Sequence, residues 1–451
     1  MEAFMDQLNQ VVVSLQSVMS GKVLVVLLVG TGIWFTIRLR GVQFREFGKS
    51  LKAVFGSINL NGAKAGKDGM SSFQALTTAI AAQVGTGNLA GAATAMVMGG
   101  PGAIFWMWVS AIFGMATIFV EASLAQKYKT VDENGEVTGG PAYYIRAAYK
   151  GPFGKVLAVI FAILISLALG LFGNMVQSNS IGDSFHNAFG ISPLIVGVIC
   201  AAIAAFIFLG GVKRIASVTE KLVPVMALFY ILGCTVILFI NHAALIESIK
   251  SIFIGAFQPQ ALAGGIAGVT VKEAMRYGVA RGLFSNEAGM GSTPHAHALA
   301  KVKKPQDQGI IAMVGVFIDT FIILTLTALV ILTSGALSTG ATGSVLAQTA
   351  FNQAFGQFGS VFIAICMLFF AFSTIIGWYF FGEVNVKALF GKKAVKIYAA
   401  LVVVCVILGS SLKVDLVWNL SDLFNGLMVF PNLIALIALS GVVAKMSHED
   451  H

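Results

Sequence analysis

Long apolar runs, each about the length of a membrane crossing, recur from one end of the 451-residue chain to the other. A helix needs about 20 mainly apolar residues to cross the ~30 Å hydrocarbon layer. The pattern predicts eleven spanning helices, at 22–38, 70–97, 102–126, 153–182, 191–210, 214–241, 270–300, 307–334, 358–386, 394–412 and 416–444. The runs lack the dyad alternation of a transmembrane barrel. Residues 4–20 read as an amphipathic helix lying on the outer surface. Residues 244–256 and 343–356 read as helices that do not cross.

Two runs are interrupted by polar and glycine residues. The run at 70–97 contains Gly85-Thr86-Gly87-Asn88, and the run at 270–300 contains Ser285-Asn286-Glu287-Ala288-Gly289-Met290-Gly291, followed by Pro294. Lipid offers no hydrogen bonds to an opened helix. Backbone opens at membrane depth only inside protein or against a wet cavity. The freed amides at a half-helix N-terminus suit an anion such as a carboxylate. Paired interruptions in two inverted halves point to a transport site near the midplane. Ten of the spans divide into two sets of five, and an odd number of spans between equivalents inverts the second set. The expected organisation is an N-terminal unit at 1–69, a first repeat at 70–241, an outer connector at 242–269, a second repeat at 270–446 and a tail at 447–451.

Charge adds orientation. The chain is 11% charged and 57% hydrophobic, against about 25% charged for a soluble domain. Its net charge of +9 would suit nucleic acid or anionic lipid, but the placement reads as topology. Of 29 Lys and Arg, 23 fall in 38–69, 127–155, 213–221, 301–304 and 387–396 or at Lys445. The positive-inside rule then puts the N-terminus outside and the C-terminus in the cytoplasm. The start, MEAFMDQLNQ, lacks the basic flank of a cleaved signal peptide. Cys200, Cys234, Cys366 and Cys405 sit in apolar runs with no CxxC spacing, as reduced packing residues do. No P-loop, HExxH or GxSxG motif supports ATP-driven or hydrolytic chemistry, so no catalytic residue is expected.

The polar groups inside the spans are the candidate machinery. Gly85 and Gly87 allow close backbone approach around Thr86, and Asn88 follows. Glu287 reads either as a gating carboxylate or as an acceptor that holds its helix open. Arg276 and Arg281 precede it, with Glu273, Glu287 or Asp183 as partners in an outer gate or a structural ion pair. Gln177, in the polar stretch 174–179, faces a ligand or bonds a neighbouring helix. Ser373 and Thr374 offer hydroxyls to a hard cation or bond back to their own helix. Thr374 and Trp378 share a face at i,i+4. Asp319, beside Thr320, is a candidate for binding a proton or cation or for supporting the Glu287 region. His295 and His297 lack a zinc spacing and read as packing groups.

Three strings carry a family resemblance: GGPGAIFWMWVSAIFG at 99–114, VGTGNLAG at 84–91 and SNEAGMGS at 285–292. They closely resemble the alanine/glycine:cation symporter family, also called the sodium:alanine symporters, over residues 22–445. The resemblance implies a leucine-transporter-like inverted-repeat fold with one accessory helix. It implies sodium-coupled uptake of a small neutral amino acid, alanine or glycine, across a prokaryotic plasma membrane. By the same resemblance, the amides of Thr86 and Gly87 hold the substrate carboxylate. The carbonyls of Ala81 and Val84 bind sodium with Ser373 and Thr374. Gln177, Asn286 and Trp378 line the pocket, and Asn88 would serve a second sodium. Glu287, Arg281 and Asp319 are left as gating or coupling candidates. The alternatives are proton coupling through Asp319 or Glu287, and a nontransporting receptor or channel.

Overall fold

The computed structural model describes residues 7, 9–15, 23–56, 65–258, 269–412 and 415–448. Residues 9–15 of the expected N-terminal helix are helical. The rest of that segment, part of the first basic loop at 57–64, part of the connector at 259–268 and the last three residues of the tail lie outside the described residues.

The described chain is almost wholly helical. In order come α1 (Leu24–Arg38), α2 (Ser72–Gln83), α3 (Ala92–Gly99), α4 (Gly102–Lys127), α5 (Pro152–Phe189), α6 (Pro193–Phe208) and α7 (Gly211–Ile240). Then follow α8 (Val271–Asn286), α9 (Pro294–Ala298), α10 (Pro305–Ser334), α11 (Phe358–Phe390), α12 (Lys392–Ser411) and α13 (Asp415–Ala438). Among the described residues, seven helices are long and apolar enough to cross a membrane: α4, α5, α7, α10, α11, α12 and most of α13. Helices α1 and α6 are shorter and apolar. The two expected non-crossing helices form as His242–Phe257 and Gly343–Phe355.

The two interrupted runs are broken helices, α2 with α3 and α8 with α9. They start alike. The Gln74 amide donates to Ser71 Oγ at 3.1 Å, and Ser71 N donates back to Gln74 Oε1 at 3.0 Å. Thr270 and Glu273 make the same reciprocal pair at 3.2 and 2.8 Å. Each capping box satisfies orphan amides of the first turn and fixes where the helix begins. Small residues then let helices close on one another. A Cβ on Gly278 of α8 would lie 2.3 Å from the Ala103 carbonyl of α4.

Several predicted basic loops meet at one end of the bundle. A two-stranded hairpin pairs Thr130–Val131 with Val137–Thr138. From it Asp132 takes Lys387 at 2.5 Å, and Glu136 binds both Lys387 and Lys392. The Val137 amide donates to the Lys67 carbonyl at 2.8 Å. Met70 pairs through its backbone with Leu299 and Lys301, at 2.9 Å each. Burial pushes the Asp132 carboxyl up, but Lys387 and two backbone amides outweigh it and hold it at about 2. A depressed carboxyl stabilises the fold above its ordinary range and loses that contribution only as pH falls towards about 2. The clasp is therefore intact at neutral pH. The opposite end carries a recess lined by Asp183, Arg281, Thr342, Trp418 and Asp422.

Candidate functional site: two broken helices and the groups between them

Helix α2 ends at Val84, whose backbone is extended, and a π-helical turn at Gly87–Gly91 leads into α3. The opened backbone is met by side chains. The Gly85 amide donates to Asn88 Oδ1 at 3.0 Å. The Thr86 amide donates to Gln177 Oε1 of α5 at 3.2 Å. An incoming carboxylate at that amide would therefore take the place of the Gln177 oxygen. Thr86 Oγ1 is fully buried and has no partner. A buried hydroxyl without a partner costs about 1–3 kcal/mol, so it marks a place where a polar ligand is missing.

Close backbone approach falls on Gly85 rather than Gly87. A Cβ on Gly85 would lie 2.5 Å from Thr374 Oγ1, whereas one on Gly87 would meet Ser285 at an ordinary 3.4 Å. Helix α11 is thus pressed against the first break. There Thr374 Oγ1 lies 3.0 Å from the Ala81 carbonyl and 3.4 Å from that of Val84. Ser373 Oγ lies 3.2 Å from the same Ala81 carbonyl. Both hydroxyls also bond back to Phe370 O, at 2.8 and 3.0 Å. Two hydroxyls and two carbonyls converge at the broken end of α2, and all four residues are buried. Neutral oxygens of this kind suit a hard cation.

The second break turns at Glu287, which takes a left-handed backbone, φ 58°, uncommon for any residue but glycine. Its carboxylate accepts from Trp378 Nε1 of α11 at 2.6 Å and from Ser292 Oγ at 2.5 Å. The role of backbone acceptor, one of the two readings open for Glu287, belongs instead to Glu121 of α4. Its two oxygens accept from the amides of Gly289 and Gly291 at 3.0 and 2.9 Å, and from Asn432 Nδ2 of α13 at 2.7 Å. Asn286 is engaged within the break: its Oδ1 takes the Ala288 amide at 3.1 Å, and its Nδ2 donates to Thr320. Its carbonyl accepts from Gln83 Nε2 at 2.7 Å, which ties one break to the other.

Asp319 lies between the two breaks, in a π-helical stretch of α10. It accepts from Asn88 Nδ2 at 2.6 Å, from Ser285 Oγ at 2.9 Å and from Thr320 Oγ1 at 2.8 Å. It is fully buried and faces no cation among the described residues. The structure thus brings Ala81, Val84, Thr86, Gly87, Asn88, Gln177, Ser285, Asn286, Glu287, Asp319, Ser373, Thr374 and Trp378 into one linked core.

Arg281 does not join it. Its partner is Asp422 of α13 at 3.6 Å, not Glu273, Glu287 or Asp183. Glu287 is fully buried with both oxygens engaged, and Glu273 serves the cap of α8. His295 packs between Phe161 and Phe381, and its ring nitrogens meet Ser292 O and Asn385. Glu121 and Asn432 escaped the sequence reading. The signal for Glu121 was present: it is the only carboxylate in a 26-residue apolar helix.

Removing Glu121 leaves two break amides unsatisfied. Glu121→Ala is expected to destabilise the protein by about 2–4 kcal/mol. Glu121→Gln, which keeps one acceptor, should be milder. Thermal unfolding of the purified variants checks this, and midpoints indistinguishable from wild type would refute it.

Residues 5–449 match the model of the sodium:alanine symporter family. A sodium/alanine symporter of Methanococcus maripaludis, AgcS, is 44% identical over 430 residues, covering 94% of this chain and 93% of that protein. A probable sodium/glutamine symporter of Bacillus subtilis, GlnT, is 44% identical, covering 94% of this chain and 86% of its own length. Among solved structures, MhsT in complex with L-phenylalanine superposes with a TM-score of 0.58 at 13% identity, over 83% of this chain and 98% of that one. A variant of the Eremococcus coleocola manganese transporter gives 0.54 at 14% identity, over 85% and 83%. At such identity these two speak for the fold alone, and that fold is leucine-transporter-like. With its apolar helices, the chain is a multi-pass membrane protein and not an enzyme, and it belongs to the sodium:alanine symporter family.

Proposed function

We propose that this protein takes up a small neutral amino acid, alanine or glycine, by sodium-coupled symport with alternating access. The observation that carries the reading is the convergence of the Ser373 and Thr374 hydroxyls on the Ala81 and Val84 carbonyls, where α2 opens. Sodium would take the place of the hydroxyl-to-carbonyl hydrogen bonds there, with the hydroxyl protons turned away and the oxygens facing the ion. The substrate carboxylate would lie on the amides of Thr86 and Gly87, beside the unpartnered Thr86 hydroxyl. Gln177, Asn88, Asn286 and Trp378 would shape the pocket. Substrate, helix-end dipoles and sodium then compensate one another's charge in a low-dielectric core. Each ligand binds better beside the other, a reciprocal coupling of typically about 1–3 kcal/mol. The Arg281–Asp422 pair would serve as an outer gate, and Glu287 would tie α11 to the second break.

We take the seven long helices, the two shorter apolar ones and the two broken runs as the eleven spans of this reading. In this reading 70–241 and 270–446 are inverted repeats, 1–69 carries the accessory helix, 242–269 connects outside and 447–451 is a cytoplasmic tail. The clasped basic end faces the cytoplasm of a prokaryotic cell, and the N-terminus lies outside.

A second reading has one observation in its favour. Asp319, a buried carboxylate bonded to both breaks, is placed to carry a proton instead of, or with, sodium.

Three outcomes are expected. In a sodium titration of labelled alanine uptake, Ser373→Ala and Thr374→Ala should raise the half-maximal sodium concentration by about tenfold or more, equivalent to ~1.4 kcal/mol. High sodium should partly rescue them. An unchanged sodium dependence, with a pH dependence that disappears in Asp319→Asn, would favour proton coupling. Gly87→Val should abolish uptake, and Gly87→Ala, whose single Cβ would meet Ser285 at an ordinary 3.4 Å, should reach normal membrane levels yet weaken it, which separates displacement of the ligand from misfolding. Near-normal transport by Gly87→Val would remove the carboxylate site. For orientation, Lys303→Cys in a cysteine-free background should resist an impermeant thiol reagent in intact cells and react in inverted vesicles; ready labelling from outside reverses the topology.

A further inference from the structure

A recess of about 120 Å³ lies beside α8 from Arg276 to Phe284 and reaches Met290 at the outer edge of the second break. Helix α1 forms one wall through Leu24 and Leu28, and α13 forms another through Asp422 and Asn425. Two of its polar groups are unexplained by the fold. Asn425 is only 5% exposed, yet neither its Oδ1 nor its Nδ2 has a hydrogen-bond partner. Buried amides are nearly always satisfied, and an orphan of this kind points to a missing partner. Arg276 forms no ion pair among the described residues; its guanidinium lies 5.4 Å from the ring centre of Tyr277. The remaining pair, Arg281 with Asp422, is loose at 3.6 Å.

We propose that this recess is a second, outer binding site for an α-amino acid. The inference rests on the amino-acid reading above and concerns a place that adjoins the central core but is lined by none of the core residues named above. Two guanidiniums facing one carboxylate leave a positive charge over, which calls for an anionic group. A guanidinium suits a carboxylate because its fork of donors matches two oxygens. Asn425 offers a donor to the same carboxylate and an acceptor to an ammonium. Asp422 offers a second acceptor. A simple halide would satisfy the guanidinium but leave the Asn425 oxygen orphaned. Phe284, Met290 and Leu28 supply the apolar wall that a short side chain needs. A recess of this volume holds several waters, which leaves room for a ligand of alanine's size.

Its place gives the site a use. Arg281 and Asp422 line this recess and also the neighbouring one, which reaches Gly91 and Thr94 just past the first break. The ion pair is the partition between them. An amino acid held on Arg276 waits one ion pair away from the route to the core, and its ammonium competes with Arg281 for Asp422.

Equilibrium binding of labelled alanine to the purified full-length protein, with and without sodium, tests this. Wild type should show a sodium-dependent component from the central site and a weaker, sodium-independent one. Arg276→Gln and Asn425→Leu should each weaken the second component by about tenfold and leave the first unchanged. Propionate, which has no ammonium, should compete poorly for it. The proposal fails if wild type has no sodium-independent component, or if both variants leave that component as it was. It fails equally if chloride displaces alanine there as well as unlabelled alanine does, which would make the recess an anion site. Absence of the sodium-dependent component alone would instead count against the central site. If Asn425→Leu loses both components through misfolding, Arg276→Gln, at a partly exposed position, decides.

Discussion

An opened helix inside a bilayer must find a partner for every amide and carbonyl it frees, because lipid supplies none. That demand organises this protein. The first break is met by Asn88 and Gln177, and the second by Glu121 and Asn286. Each partner is itself held by a further group, so the demand spreads outward. Asn88 leans on Asp319, Glu121 on Asn432, and Asn286 on Thr320. The result is a polar network through the middle of an otherwise apolar bundle.

Three buried carboxylates divide the work within that network. Glu121 accepts backbone amides and acts as a strut. Glu287 accepts from Trp378 and Ser292 and joins α11 to the second break. Asp319 accepts from Asn88 and Ser285 and joins the two breaks to each other. The Ser373 and Thr374 hydroxyls point at carbonyls of a different helix, α2. This separates them from hydroxyls that bond only within their own helix.

Much of this was legible in the sequence. The apolar runs, the two interruptions and the end at which basic loops gather are all local patterns, and local patterns survive folding. The family resemblance grouped Ser373 and Thr374 with Ala81 and Val84; in the structure both hydroxyls lie on the Ala81 carbonyl and Thr374 lies also on that of Val84. What escaped was the choice of partner. Arg281 had several carboxylates to choose from, and only the fold, by setting α13 across a recess from α8, selects Asp422. Gln177 reads as pocket or packing until α5 sets its oxygen on the Thr86 amide, 91 residues away. Glu121 was passed over because its run carries no glycine break of its own. The glycines it serves lie on another helix. Spacing within one helix cannot report such a match.

The Glu121 strut also bears on how the chain is built. Gly289 lies 168 residues beyond it, and Asn432 lies 311 beyond. A ribosome delivers α4 long before either partner exists. Through that interval a carboxylate sits in or near the bilayer with none of its final donors, and the first half of the protein is an unfinished polar object in lipid. Chain halves separated at the connector would each be left with part of the network exposed: one with an acid, the other with bare amides. Assembly is therefore tied to completion. The second half does not merely dock on a finished first half; it supplies the groups that make the first half stable in the membrane.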